Sequence, residues 1–131
     1  MNRVRISVLL AVVAALATGL MPTVASAASL KWHVRSEHSK VTSLEFYSQD
    51  RDYVWPGGGE VYVIEDYDEH TYTLSCNKGE KICYGAWVPE DDDDDDITYW
   101  GAGKDGDKSC SRCCFRCLNQ TTNVINLDPS R

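Results

Sequence analysis

The sequence predicts an all-β fold: a small antiparallel β-sandwich or open barrel, with a disulfide-tied C-terminal turn or short helix. Three observations carry this expectation. Short segments of alternating or β-branched character recur along the chain, and clusters of Gly, Pro, Asn and Asp separate them. Six cysteines offer crosslinks to a chain too small to bury a large core.

The elements follow in order. Residues 1–27 read as a signal peptide: Arg3 and Arg5 make a positive start, Val8 to Ala17 is an unbroken apolar run, and Ala25-Ser26-Ala27 is a small-x-small cleavage site. Gly19 and Pro22 interrupt the run, which falls short of the ~20 residues a membrane span needs. Residues 28–40 are polar, include Trp32, His33 and His38, and read as a flexible lead-in. Residues 41–131 read as a single disulfide-stabilised β-domain. Within it, residues 40–48 place Thr42, Leu44 and Phe46 on one alternating face, and residues 60–65 are β-branched and aromatic. Residues 71–76 set Tyr72, Leu74 and Cys76 against Thr71, Thr73 and Ser75. Residues 82–88 form an apolar run of strand length, and 97–100 and 123–127 are shorter candidates. Trp55-Pro56-Gly57-Gly58-Gly59 breaks any regular element, and Asn77-Lys78-Gly79-Glu80 reads as a hairpin loop.

The cysteines are Cys76, Cys83, Cys110, Cys113, Cys114 and Cys117, an even set expected to pair as disulfides once the chain leaves the reducing cytosol. Cys76 and Cys83 flank the expected hairpin loop and suit a cross-strand bond, or either reaches the 110–117 cluster. The offsets of that cluster suit one stripe of a helix or a knotted loop equally. Two repeats of Cys-x2-Cys also fit zinc ligation or thiol redox chemistry. Export and the lack of a thioredoxin-like βαβ pattern favour structural disulfides.

Charge narrows the partners. The chain has 131 residues and a formal charge of −7. Loss of residues 1–27 (131 less 27 leaves 104) removes two arginines and takes the charge to −9. That excess disfavours nucleic acid and anionic membranes, and favours basic protein surfaces or soluble dispersal. No P-loop, HExxH or nucleophile-elbow motif occurs, and the glycine-rich residues 101–107 read as a flexible joint.

Three groups of residues are candidate sites. Arg51, Tyr53 and Trp55 lie on an expected loop, where an exposed ring stacks on a sugar or anchors a protein interface. The competing reading folds Trp55 back into the core, since the chain has only two Phe. Residues 90–96 are seven consecutive carboxylates. Asp92, Asp94 and Asp96, with Asp105 and Asp107, supply hard-oxygen ligands for a weak calcium site, without the EF-hand spacing. The plainer reading is a solvated, self-repelling loop. His33, His38 and His70 are the neutral-pH acid–base candidates, His70 beside Asp66, Asp68 and Glu69, and the plainer reading makes them exposed bystanders.

The combination of GEKICYGAW at 79–87, YWG at 99–101 and the paired-cysteine tail resembles small exported, cysteine-rich bacterial proteins. The likeness runs from about Leu44 to Leu127 and includes the FYS and WPG stretches. It implies export and a crosslinked domain, makes the Asp run a loop elaboration, and carries no activity, catalytic residue or ligand residue. The expectation is a secreted or periplasmic binding module for a glycan, protein or envelope component, without a cofactor beyond weak calcium and without a membrane after signal cleavage. The alternatives are a small secreted hydrolase using His70 and nearby carboxylates, or a calcium-responsive secreted protein.

Overall fold

A computed structural model describes residues 19–22, 24, 26–89, 98–103 and 110–130. Nine strands appear among them: β1 (Ala27–Ser36), β2 (Thr42–Ser48), β3 (Val54–Trp55), β4 (Tyr62–Ile64), β5 (Glu69–Asn77), β6 (Lys81–Trp87), β7 (Tyr99–Gly101), β8 (Cys114–Arg116) and β9 (Gln120–Leu127). They form two sheets, as the alternation and turn spacing predict. The first has the order β5–β1–β9. β1 pairs with β5 antiparallel from Ala27↔Asn77 to Arg35↔Glu69, and with β9 in parallel, with a register shift between Lys31 and His33. In the second sheet β2 and β6 are antiparallel neighbours. β3 and β4 share the free edge of β2, and β7 and β8 share the free edge of β6.

The stretch expected to be a flexible lead-in, 28–40, is mostly β1, the central strand of the first sheet. Leu30, Trp32 and Val34 are fully buried and alternate with Lys31, His33 and Arg35 on the outer face. This is the period-2 pattern of a half-buried strand. Trp32 crosses the sandwich and meets rings from three strands of the second sheet. These are Phe46 of β2 at 4.9 Å, Tyr84 of β6 at 6.0 Å and Phe115 of β8 at 5.2 Å, measured between centroids. Phe46 continues the chain of rings to Tyr62 and Tyr72. Burial pushes the phenols of Tyr47, Tyr62, Tyr72 and Tyr84 up, that of Tyr72 to about 12, because the charged phenolate loses its solvation.

The second correction concerns residues 77–80. They do not close a hairpin, because β5 and β6 belong to different sheets. The turn is a corner that carries the chain from one layer to the other. Cys76 therefore does not face Cys83. Cys76 bonds Cys117 (Cα–Cα 6.2 Å), Cys83 bonds Cys114 (4.0 Å) and Cys110 bonds Cys113 (5.9 Å). Cys83 and Cys114 are register partners on β6 and β8. The amide of Tyr84 donates to the Cys113 carbonyl at 3.1 Å, which marks a non-hydrogen-bonded pair, the closer of the two antiparallel pair types. The 110–117 segment is a turn at 111–112 followed by β8, so the helix alternative falls away. Three intramolecular disulfides are typical of extracellular and periplasmic proteins.

Trp32→Ala should lower the unfolding free energy by about 3–5 kcal/mol in denaturant titration, the cost of emptying a core aromatic site; a lead-in residue would change it by less than about 0.5 kcal/mol. The raised phenols give a second test. Their folded pKa lies above the unfolded value, so their contribution is complete below about pH 10 and is lost as pH rises through the folded values. Denaturant midpoints should therefore fall above about pH 10, with delayed phenolate absorbance.

Candidate binding site

The corner at 77–80 organises one end of the molecule. Gly79 takes a left-handed φ of 81°, which lets the turn close without Cβ strain. The Gly79 amide donates to the Cys117 carbonyl at 2.7 Å, and the Cys117 amide donates to the Glu80 carbonyl at 2.8 Å. The Cys76–Cys117 bond locks the same junction. Glu80 is thereby held with only 3% of its surface exposed.

An isolated carboxylate buried this far would be costly. Glu80 is instead saturated. It accepts from the Ser48 hydroxyl at 2.9 Å and the Asn77 amide at 3.1 Å. It also accepts from Arg51 through both Nε and Nη2, the latter at 3.2 Å, in a fork-on-carboxylate arrangement. Burial pushes the Glu80 carboxyl up, but these donors outweigh it and hold the group below the usual carboxylate range. The same contact raises the pKa of Arg51.

The back edge of the Arg51 guanidinium is occupied by Glu80, and its face lies on aromatic rings. The guanidinium carbon is 4.2 Å from the Tyr53 centroid and 5.7 Å from that of Trp55, and the two rings meet edge-on at 4.7 Å. Arg51, Tyr53 and Trp55 come together here, with a division of labour that corrects the exposed-loop reading of Trp55, which ends β3. Trp55 is 7% exposed, and its indole N–H donates to the Ser75 carbonyl at 3.2 Å, so it is a core ring. Tyr53 is 46% exposed and presents the open ring. Beside them is an open pocket of about 200 Å³ lined by Asp50, Arg51, Asn77, Lys78, Gly79 and Glu80. Nothing in the local sequence marks Glu80 or Ser48 as part of this site, because Glu80 is buried only by the corner and its disulfide.

The histidines divide differently. His70 Nε2 lies 2.6 Å from Asp66, whose carboxyl is lowered chiefly by that contact. His33 Nδ1 lies 2.9 Å from Glu69. Directly paired residues share a face, and His70 pairs with buried Val34 while His33 pairs with Thr71. The two imidazoles therefore sit on opposite faces of the sheet and cannot serve one reaction centre. Glu69 belongs to His33, leaving Asp66 as the carboxylate partner of His70. The Asp68 amide donates to Asp66 at 3.0 Å. The proposed calcium ligands Asp92, Asp94, Asp96, Asp105 and Asp107 lie outside the described residues. Among the described residues no cluster of three or more His, Cys, Asp or Glu could hold a metal ion. Comparison of the chain with protein families, curated proteins and solved structures found no match.

The depressed carboxyl of Glu80 gives a signed pH test. Its contribution to stability is present above its unfolded value of about 4.3 and is lost as pH falls through the lower folded value. Glu80→Gln should cost about 1–3 kcal/mol at pH 7 and should flatten the decline in denaturant midpoint below about pH 4. An unchanged acid limb in the variant would show that other carboxylates dominate.

Proposed function

We propose that the chain is an exported, non-catalytic binding module that takes its ligand at the Arg51–Tyr53 surface. The observation that carries this reading is the guanidinium stacked on an exposed tyrosine ring, with its back edge already saturated by a buried carboxylate. Both groups are fixed before a ligand arrives, so little side-chain entropy remains to be lost on binding. Arg and Tyr are the residue types that dominate interface energetics. The ligand that fits is a glycan or peptide of the cell envelope with a flat apolar face for Tyr53 and an acceptor oxygen for Arg51 and Lys78. Residues 1–27, read as a signal peptide, and the three disulfides support a secreted or periplasmic site of action.

A second reading has one specific observation behind it. The 2.6 Å contact between His70 and Asp66 orients an imidazole with a carboxylate, half of a general acid–base unit. Hydrolysis of a chromogenic substrate that is lost in His70→Ala would move this reading to first place.

The binding reading is tested on arrays of acidic and neutral glycans and of envelope peptides. Tyr53→Ala should weaken the strongest hit about tenfold or more, the loss of one aromatic contact residue. Its thermal midpoint should stay within about 4 °C, because the ring is exposed. Arg51→Lys should also weaken binding, since an ammonium reproduces neither the fork nor the stack. Unchanged binding in both variants would remove this surface from consideration.

A further inference from the structure

The three disulfides are not equivalent. Cys76–Cys117 and Cys83–Cys114 join residues 41 and 31 positions apart, and each ties separate strands or layers. Closing such long loops removes much chain entropy from the unfolded state. Cys110–Cys113 joins residues three positions apart within a single turn, so it contributes the least of this kind and links no two strands. Accessibility singles out one sulfur, and it belongs to this bond. Cys76, Cys83, Cys113 and Cys117 are buried and Cys114 is half-buried, whereas Cys110 is exposed.

The surroundings of the turn favour opening it. Arg112, between the two cysteines, has a φ of 64°, a left-handed conformation that a branched-chain-free but Cβ-bearing residue adopts only under constraint. Cys113 stays anchored without the bond, because its carbonyl accepts from the Tyr84 amide and the next residue is crosslinked to β6. Opening the bond therefore releases Cys110 and the turn, not a sheet. The segment from Cys110 to Cys117 also carries two arginines, Arg112 and Arg116, and no acid.

We propose that Cys110–Cys113 is an exchange-active disulfide that accepts two electrons from external thiols, while the other two bonds hold the fold. An external thiolate attacks Cys110 Sγ, forming a mixed disulfide and breaking the Cys110–Cys113 bond, whose electron pair leaves on Cys113 as a thiolate. A second external thiolate attacks the external sulfur of the mixed disulfide, and Cys110 leaves as a thiolate. Two thiols become one disulfide, and the protein disulfide becomes two thiols after proton uptake.

The full chain, oxidised and folded, is incubated with reduced glutathione without denaturant, quenched in acid, labelled with a maleimide and mapped by peptide mass. Cys110 and Cys113 should be labelled about tenfold faster than the other four cysteines, with the near-ultraviolet circular dichroism unchanged. With oxidised glutathione as the probe, Cys113→Ser, which leaves Cys110 unpaired, should acquire the glutathione adduct about tenfold faster than Cys110→Ser, which leaves Cys113 unpaired. Absence of labelling, labelling of all six cysteines together, or equal adduct rates in the two variants would overturn the proposal. None of these readouts depends on ligand binding at Arg51 and Tyr53.

Discussion

Aromatic rings hold the two sheets face to face, and Trp32 stands at their centre. Trp32 of β1 meets rings on three strands of the opposite layer. Its N–H finds no acceptor among the described residues, at a cost of about 1–3 kcal/mol. Burying about 200 Å² of ring surface at about 25 cal/mol per Å² returns roughly 5 kcal/mol, so packing wins over the lost hydrogen bond. In a chain with only two Phe, tryptophan and tyrosine must fill the interior. That is why four phenols are shifted by burial and why Trp55 and Trp100 each send an indole N–H to a backbone carbonyl.

The crosslinks complete what the rings begin. Cys76–Cys117 fixes the corner where the chain changes layer, and Cys83–Cys114 fastens a three-residue strand to the edge of β6. The corner buries Glu80, Glu80 orients Arg51, and Arg51 lies on Tyr53. The Arg51–Tyr53 surface is thus built backwards from a disulfide, with each polar group satisfied in turn.

Much of the fold was legible in the sequence, and the failures have identifiable causes. β2, β5, β6, β7 and β9 stand where alternation or apolar runs indicate strands. β1 also alternates, but its outer half of Lys31, His33 and Arg35 gives the stretch a polar average that hides Leu30, Trp32 and Val34. The turn at 77–80 has the chemistry of a hairpin, and local chemistry does not say which sheet the next strand joins. The cysteine partners depend on that choice, so they were equally hidden. Arg51 and Tyr53 were visible as an unusual loop composition. Glu80 was not, because its importance arises only when the corner excludes water from it.

The parallel pairing of β1 with β9 has a consequence for the order of assembly. Leu30 lies beside Leu74 on one side and Gln120 on the other, so the earliest strand has no complete set of neighbours until the final one arrives. Such distant pairings are slow to form, and no N-terminal fragment holds the finished sheet. A chain lacking residues 120–127 leaves one edge of β1 bare, so this layer closes only when segments from both ends of the domain are present together.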